Sequence, residues 1–267
     1  MDALISWFEG NPVALGALAS LAAGAATGVG ALPMLLVRRV PQRVQDGLLG
    51  FAAGVMLAAS FFSLIIPALD NLQQNGGTPR AAAATVAAAV LLGAVVLYLV
   101  NRYAPHEHFV SGSNDRHSQS KMWRIWLFVI AITLHNFPEG MAVGVGYGAG
   151  DVTSGNSLAL AIGLQNMPEG LAVAASLIGL DYKRSHAVLI ALLTGLVEPI
   201  GGLVGAAAIT LSQPLLPWGL GFAAGAMLFV VSNEIIPETH RKGHETQATG
   251  GLMVGLALMM FLDVSLG

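Results

Sequence analysis

Residues 125–149 read IWLFVIAITLHNFPEGMAVGVGYGA, an apolar stretch long enough to cross a bilayer, with the motif HNFPEG at residues 135–140 near its middle. A closely similar motif, QNMPEG, follows at residues 165–170 inside the next apolar stretch, and no Lys or Arg occurs between Arg124 and Lys183. A carboxylate at membrane depth costs about 2.5–3.5 kcal/mol or more unless something neutralises it. The sequence therefore predicts that the missing positive charge is the cargo: a divalent metal ion, a proton, or both.

The composition is that of an integral membrane protein. The chain has 267 residues, of which 55% are hydrophobic and 10% charged, whereas soluble domains carry about 25% charged residues. Thirty-three glycines fit closely packed membrane helices. The absence of cysteine excludes disulfides, zinc–thiolate sites and cysteine nucleophiles. A net charge of -3 leaves no basic surplus for binding nucleic acid.

A spanning helix needs about 20 mostly apolar residues, and the sequence contains eight such segments. We therefore predict an all-α integral membrane protein with eight transmembrane helices, forming one polytopic transport domain over residues 1–267. The one long connection is a polar segment at about 102–122, between spans 3 and 4. The predicted spans are 12–37, 45–69, 80–101, 123–147, 156–178, 186–211, 215–237 and 247–266.

The basic residues are distributed asymmetrically between the two sides of the predicted bundle. Eleven of the twelve Lys and Arg residues fall in or beside the connections 1–2, 3–4, 5–6 and 7–8, and Arg80 alone falls on the opposite side. Because cytoplasmic loops are rich in Lys and Arg, these connections are predicted to be cytoplasmic. Both termini are then outside, and the polar segment at about 102–122 is a cytoplasmic loop. We expect a multi-pass protein of the cell (inner) membrane.

An internal repeat relates the second and seventh spans. Residues 49–57 read LGFAAGVML and residues 220–228 read LGFAAGAML, so eight of nine positions match. Both helices later reach Ile-Ile-Pro, at residues 65–67 and 235–237. Span 2 is predicted to run outward and span 7 inward, so the repeat is inverted. Inverted repeats with interrupted helices are typical of secondary transporters.

The two central motifs each place potential ligands on one helix face. Residues at i, i+3 and i+4 are neighbours on a helix. In each motif the first residue lies four positions before the glutamate and the second lies three positions before it. Each motif proline also leaves the carbonyl four residues earlier without a partner, and we expect an interrupted helix there. Span 6 adds Glu198, followed by Pro199. The predicted ligands are His135, Asn136, Glu139, Gln165, Asn166, Glu169 and Glu198.

Three carboxylates, one imidazole and three amides form a mixed nitrogen and oxygen donor set. Such a set suits zinc and other first-row divalent metals, and it suits copper(I) less well because copper(I) prefers sulfur. A buried histidine is often structural, but His135 is the one histidine of seven at predicted membrane depth and lies four residues before Glu139. The residues thus favour a metal site, with a proton relay as the alternative.

These motifs resemble those of the ZIP (Zrt-, Irt-like protein) family of divalent metal transporters, bacterial type. The family pattern has His-Asn-x-Pro-Glu-Gly in span 4, a related Pro-Glu-Gly motif in span 5 and a glutamate in span 6. The resemblance extends over the whole chain: eight spans, outward termini and a polar, histidine-bearing loop between spans 3 and 4. It implies a membrane transporter, not an enzyme, with no cofactor.

The resemblance further implies a binuclear metal site on helices 4, 5 and 6, with transport of zinc into the cytoplasm. Cadmium, iron or manganese are further candidate cargoes, and a homodimer is implied as a frequent family state. Some bacterial relatives carry Asp where this chain has Asn166, so the second ion is expected to bind less tightly here. The first ion is implied at His135, Glu139, Gln165 and Glu169. The second is implied at Asn136, Asn166, Glu169 and Glu198.

Further polar residues are candidates for the route into and out of the site. Ser63 and Asp70, near the outer end of span 2, resemble the family's entrance residues. On the inner side, His106 and His108 in the polar loop could relay metal, although such loops are often only hydrophilic tethers. Glu234 in span 7 is expected to line the exit. Glu238 and His240, at the end of that span, could assist release.

Two other functions remain compatible with the residues alone. An intramembrane zinc-dependent hydrolase would use a metal-bound water and a glutamate base. The His-x-x-x-Glu spacing lacks the second histidine of zinc proteases, and the inverted repeat favours transport. A metal exporter is the other alternative, because charge asymmetry predicts topology but not the direction of flux.

Overall fold

A computed structural model of the chain describes residues 11–37, 39–103, 116–241 and 243–266. None of these residues lies in a β-strand, and eight long helices run through them. The helices are α1 (Pro12–Ala31), α2 (Gln42–Gln74), α3 (Pro79–Tyr103), α4 (Arg116–Gly148), α5 (Val152–Ile178), α6 (Arg184–Leu211), α7 (Gln213–His240) and α8 (Glu245–Leu266).

The helical, membrane-spanning character of the chain is confirmed. Seven of the helices within the described residues, all except α4, are long and apolar enough to cross a membrane. Helix α4 has 33 residues and begins at Arg116, inside the segment predicted to be a loop. The count of eight spans and the outward termini stay predictions.

Local sequence signals explain where two of the helices begin. Asn11 accepts a hydrogen bond from the backbone N–H of Ala14, and Pro12 occupies the first turn of α1. Asp151 accepts hydrogen bonds from the backbone N–H groups of Thr153 and Ser154 at the start of α5. These side chains satisfy N–H groups that have no partner within the helix.

The helices form two groups. In the first bundle, α1 packs against α4, α5 and α6; in the second bundle, α8 packs on α2 and α7 packs on α3. The two bundles meet mainly where α2 contacts α5 and where α4 contacts α7. The predicted metal ligands lie on α4, α5 and α6, so all seven belong to the first bundle.

Glycines bring helix backbones together inside each bundle. In the first bundle a methyl group on Gly24 would overlap the carbonyl of Gly195, and one on Gly170 would overlap the carbonyl of Thr27. In the second bundle the same holds for Gly50 against Ala248. Among the described glycines, every such backbone overlap between helices occurs within one bundle. Small residues permit this close packing in membranes, so each bundle is tightly joined internally.

Helices α2 and α7 share an irregularity beyond the repeated sequence. Helix α2 is π-helical over Ala59–Ile65 and α7 over Val231–Ile235, and in both the segment ends at the first Ile of Ile-Ile-Pro. The proline that follows cannot donate a backbone hydrogen bond, which favours a local change of hydrogen-bond register. The two repeats are thus alike in backbone geometry as well as in sequence.

The helix interruptions differ from the expectation. Helices α4 and α5 continue through Pro138 and Pro168, so the interruption predicted at these prolines is wrong. The break occurs instead in α6, which ends its first half at Gly195 and resumes at Glu198. A proline in a long helix can be accommodated when neighbouring helices support the turn, as they do here on several sides of α4 and α5.

Candidate metal centre

The seven predicted ligands are all buried in the first bundle. None exposes more than 5% of its surface, and Asn136, Gln165, Asn166 and Glu198 are fully buried. Glu139 and Glu198 each accept a hydrogen bond from an amide of α5, Gln165 and Asn166 respectively, about one turn before Glu169. Helices α4, α5 and α6 therefore bring together three acids that are far apart in sequence.

An amide from α5 supports the carboxylate of α4. The Nε2 atom of Gln165 donates a hydrogen bond to Oε1 of Glu139 at 2.6 Å. The other oxygens of this pair, Oε1 of Gln165 and Oε2 of Glu139, have no hydrogen-bond partner. The pair thus offers two oxygens in a buried setting, where hard cations are well bound.

A second amide supports the carboxylate of α6. The Nδ2 atom of Asn166 donates to Oε1 of Glu198 at 2.6 Å and to the backbone carbonyl of Ala23 at 2.8 Å. Glu198 is the first residue of the second half of α6, directly after the break. The break and the hydrogen bond to Asn166 together direct the Glu198 side chain toward α5.

Each of the seven residues retains a buried polar atom without a hydrogen-bond partner. A buried polar group without a partner costs about 1–3 kcal/mol, so seven together would be unusual for a purely structural core. The donor chemistry, nitrogen from imidazole and oxygen from amides and carboxylates, fits zinc. The atoms are Nδ1 of His135, both amide atoms of Asn136, Oε2 of Glu139, Oε1 of Gln165, Oδ1 of Asn166, Oε1 of Glu169 and Oε2 of Glu198.

The side chains do not converge on one point. Among the described residues, no three His, Cys, Asp or Glu side chains are close enough together to hold a metal ion. His135 Nε2 lies 3.1 Å from Oε1 of Glu234 on α7, and Nδ2 of Asn101 on α3 donates to the same oxygen at 3.1 Å. His135 is therefore paired with Glu234, although its spacing from Glu139 predicted a shared ligand face.

A cavity of about 350 Å³ opens between the bundles on the predicted outer side. Ser63 and Asp70 of α2 line it, together with Asp151 at the start of α5. Asp70 is exposed, whereas Ser63 is buried and donates a hydrogen bond to Asp263 of α8 at 2.5 Å. The hydrogen bond from the Ser154 hydroxyl lowers the pKa of Asp151, so this carboxylate is negatively charged at neutral pH.

The predicted release residues, on the predicted inner side, have partners within the second bundle. Glu238 forms an ion pair with Arg241. The ring nitrogens of His240 lie 2.9 Å from the carbonyl of Ile236 and 3.1 Å from the hydroxyl of Thr249. His106 and His108 lie outside the described residues. Of the release candidates, Glu234 alone contacts a predicted ligand within the described part of the chain.

Sequence reasoning missed several polar residues that the fold brings together. Asn101 donates a hydrogen bond to the Glu234 carboxylate, which also contacts His135. Asp263 accepts a hydrogen bond from Ser63. Asp46, fully buried near the start of α2, accepts from Gln42 and lies 2.8 Å from Nδ1 of His244. An aspartate within an apolar helix was the available signal for Asp263 and Asp46, but their partners come from distant parts of the chain.

The fold defines a polytopic membrane protein whose first bundle holds seven buried side chains with unpartnered nitrogen or oxygen atoms. A family model described as ZIP zinc transporter matches residues 106–263. Zinc transporter GufA of Myxococcus xanthus is 49% identical over 252 residues, covering 94% of this chain and 99% of that protein. Zinc transporter ZIPB of Bordetella bronchiseptica is 49% identical over 250 residues, covering 94% of this chain and 81% of that protein.

A more distant relative is zinc transporter ZIP11 of Homo sapiens, which is 35% identical over 321 aligned residues, covering 90% of this chain and 94% of that protein. The chain belongs to the ZIP zinc transporter family. The predictions of the family and of a transporter, not an enzyme, are confirmed. The alternative of an intramembrane zinc-dependent hydrolase is not supported, since the relatives are named as transporters.

Proposed function

We propose that this ZIP family protein carries divalent metal ions, chiefly zinc, across the cell membrane into the cytoplasm through a binuclear site on α4, α5 and α6. The first subsite consists of His135, Glu139, Gln165 and Glu169. The second consists of Asn136, Asn166, Glu169 and Glu198, so Glu169 is shared.

The observation that carries this proposal is the set of unpartnered polar atoms in the first bundle. All seven side chains are buried, and each keeps at least one nitrogen or oxygen without a hydrogen bond. Three of them are carboxylates, and the sequence has no Lys or Arg between Arg124 and Lys183. A cation that enters this region replaces repulsion between acids with attraction, and it supplies partners for the free atoms.

The route follows from the polar residues on either side of the site. Asp70 and Asp151 attract cations into the outer cavity, from which Ser63 leads toward the bundle interior. Below the site, Glu234 takes the ion from His135, and Glu238 and His240 lie along the exit. His106 and His108 of the loop at about 102–122 accept the ion at the cytoplasmic mouth.

The division into two bundles supports alternating access. The glycine contacts tie α1 to α5 and α6, and α2 to α8, while the described glycines make no such backbone contact across the boundary. A sliding or rocking motion between the bundles therefore breaks mainly side-chain contacts. Protonation of the shared carboxylates weakens the site and assists release, since adjacent acids favour a shared proton.

The proposed topology completes this picture. Eight spans form a single domain over residues 1–267, with both termini outside, in the bacterial inner membrane. Cadmium, iron and manganese are the further divalent cargoes. A homodimer is the proposed assembly, and the lipid bilayer is the environment that the exposed apolar side chains contact.

The test is zinc flux into liposomes that contain the purified protein in one orientation. We expect zinc uptake driven by its own gradient, with an altered rate when a pH gradient is imposed. Cadmium, iron and manganese, offered singly at the same concentration, rank the cargoes. Protein-free liposomes are the control. Flux equal to that control for every metal would refute the proposal, and flux restricted to the opposite direction would refute import.

A further inference from the structure

Two basic residues of the second bundle, on the predicted inner side, have partners within the protein. Arg241, at the end of α7, forms an ion pair with Glu238. Arg102, at the end of α3, donates a hydrogen bond from Nη1 to the Tyr98 hydroxyl at 2.9 Å. These two positive charges are therefore already engaged by neighbouring side chains.

The basic residues beside the inner end of the first bundle are arranged differently. Four of them lie in or next to the connections α1–α2 and α5–α6, and none has a carboxylate partner among the residues that the structure describes. One of the four, Arg184, donates to the backbone carbonyl of Leu35 at 2.9 Å, which joins the two connections but leaves the charge unbalanced. We name this set the inner basic patch; it consists of Arg39, Arg43, Lys183 and Arg184.

Two acids lie near the inner basic patch in sequence, and neither neutralises it. Asp46 is fully buried, with one oxygen 2.8 Å from Nε2 of Gln42 and the other 2.8 Å from Nδ1 of His244. Asp181 is exposed and forms no ion pair within the described part of the chain. Four basic residues and one exposed acid leave a net charge of about +3 at this surface.

Packing brings the two connections to the same end of the first bundle. Val40 and Tyr182 both pack against one hydrophobic cluster, to which α1, α4, α5 and α6 contribute. Arg39 directly precedes Val40, and Lys183 directly follows Tyr182. Positive charges from two distant parts of the chain therefore lie beside one apolar cluster.

Exposed apolar side chains adjoin the inner basic patch. Leu36 and Val37, which precede Arg39 in the connection, expose 87% and 43% of their surface. Nearby, Nε1 of Trp126 donates a hydrogen bond to the hydroxyl of Tyr182 at 3.0 Å. Tryptophan and tyrosine are enriched at membrane–water interfaces. This surface therefore combines cations with apolar side chains at the level of an interface.

This combination is complementary to an anionic phospholipid. The general excess of Lys and Arg in cytoplasmic loops explains the sign of the charge, but it does not explain why these charges lack partners while Arg102 and Arg241 have them. Each Lys or Arg near an anionic membrane surface contributes about fivefold in affinity. A free anion would satisfy the cations but would leave the exposed Leu36 without an apolar neighbour.

We infer that the inner basic patch binds the headgroup of an anionic phospholipid, with Leu36 and Val37 in contact with its acyl chains. The site shares no residue with the proposed metal centre, and its occupation does not require zinc. Because the patch belongs to the bundle that holds the seven predicted ligands, a bound lipid would attach that bundle to the inner leaflet.

The experiment measures lipid binding to the purified, zinc-free protein in a neutral detergent. Phosphatidylglycerol and phosphatidylcholine with identical acyl chains are titrated separately, and bound lipid is counted by native mass spectrometry. The test variant is Arg39→Gln with Lys183→Gln. The matched control is Arg102→Gln with Arg241→Gln, which removes the same charge from the second bundle. Leu36→Ser tests the apolar contact, and melting temperatures verify that each variant is folded.

We expect the wild type to bind phosphatidylglycerol at least about tenfold more tightly than phosphatidylcholine. The test variant should bind phosphatidylglycerol about twenty-fivefold more weakly than the wild type, since two charges are lost. The matched control should stay within about twofold of the wild type. Leu36→Ser should weaken binding of both lipids about fivefold. Inorganic phosphate at the same concentration as the lipid should not displace it.

Several results would contradict the inference. Equal affinity of the wild type for the two lipids would overturn it. An equal loss in the test variant and the matched control would overturn the location, because net charge would then determine binding. Unchanged binding in Leu36→Ser would overturn the acyl-chain contact. Displacement of the lipid by inorganic phosphate would identify a free-anion site instead. None of these results alters the proposed zinc transport, which is measured separately as flux.

Discussion

His135 on α4 and Glu234 on α7 are joined across the boundary between the two bundles, with Nε2 and Oε1 3.1 Å apart. The other ring nitrogen of His135, Nδ1, is buried and has no partner. This arrangement matches that of metal-binding histidines, which commonly donate one ring N–H to a carboxylate while the other nitrogen binds the metal. Glu234 is therefore positioned to orient a predicted ligand from the opposite bundle.

The first prediction concerns this contact. Glu234→Gln should weaken zinc binding about tenfold, because loss of a carboxylate behind a metal-binding histidine typically costs 10–100-fold in affinity. The measurement is equilibrium zinc titration of the purified variant. Glu238→Gln, on the same helix but paired with Arg241, is the matched control and should retain wild-type affinity. Equal affinity in both variants would show that Glu234 does not orient His135.

The second prediction concerns the carboxylates of α4 and α5. Glu139→Gln and Glu169→Gln should each reduce zinc uptake by at least about a hundredfold, since each removes a buried charge from the site. Uptake by cells is measured together with the amount of protein in the membrane fraction, which should be unchanged. Wild-type uptake in both variants would exclude a shared site on these helices.

The third prediction concerns the outer cavity. Asp70→Asn should raise the KM for zinc about two- to fivefold at low ionic strength, with a smaller effect at high salt, because screened charges attract ions less. Asn71→Gln, a neutral change in the same cavity, should leave KM unchanged. A KM shift that is independent of salt would argue against an electrostatic role.

In the Asp70→Asn variant, Asp151 is the carboxylate that still lines the cavity, and its ionisation determines how the attraction of zinc depends on pH. The pKa of Asp151 is lowered by its hydrogen bond from Ser154, so Asp151 stays ionised until the pH falls below the usual aspartate range near 3.9. The attraction that remains in Asp70→Asn should therefore be constant between about pH 5 and 7. Its loss within that interval would exclude Asp151 as the source.

The fourth prediction concerns helix packing. Gly170→Ala should destabilise the first bundle by about 1–3 kcal/mol or prevent folding, because the added methyl group would overlap the carbonyl of Thr27. Gly250→Ala is the control: Gly250 is exposed on α8 with no neighbour within 4 Å of the added carbon. Alanine favours a helix by about 1 kcal/mol over glycine, so this variant should be as stable as the wild type or more so. The melting temperature in detergent distinguishes the two, and equal melting would contradict the packing argument.

Much of the fold was predictable because long apolar segments have few alternatives in a bilayer. The predicted spans agree with the helices to within a few residues at most ends, although α4 begins earlier, at Arg116. The position of the break could not be derived from proline alone. Pro138, Pro168 and Pro199 are each adjacent to a glutamate, but of these three prolines only Pro199 lies beside a discontinuity in its helix, since the discontinuity depends on packing by neighbouring helices.

The burial of the candidate site residues was predictable, but their pairing was not. Spacing along α4 and α5 gave six of the seven residues and span 6 added Glu198, and all seven are buried. Spacing could not reveal that His135 pairs with Glu234, or that Asn166 reaches the carbonyl of Ala23. Both contacts join residues about a hundred or more positions apart, where tertiary packing, not helical periodicity, determines the partner.

The π-helical segments of α2 and α7 have a consequence for chain length. Such a segment accommodates an extra residue relative to an α-helix, and one residue corresponds to a rotation of about 100°. Deleting a single residue from Ala59–Ile65 would therefore restore regular winding and leave Pro67 and Asp70 facing the cavity they now line, because the π-helical turn absorbs the residue without that rotation. A chain with the same repeat could therefore lose one residue within this segment and keep its polar groups on the same face of the helix.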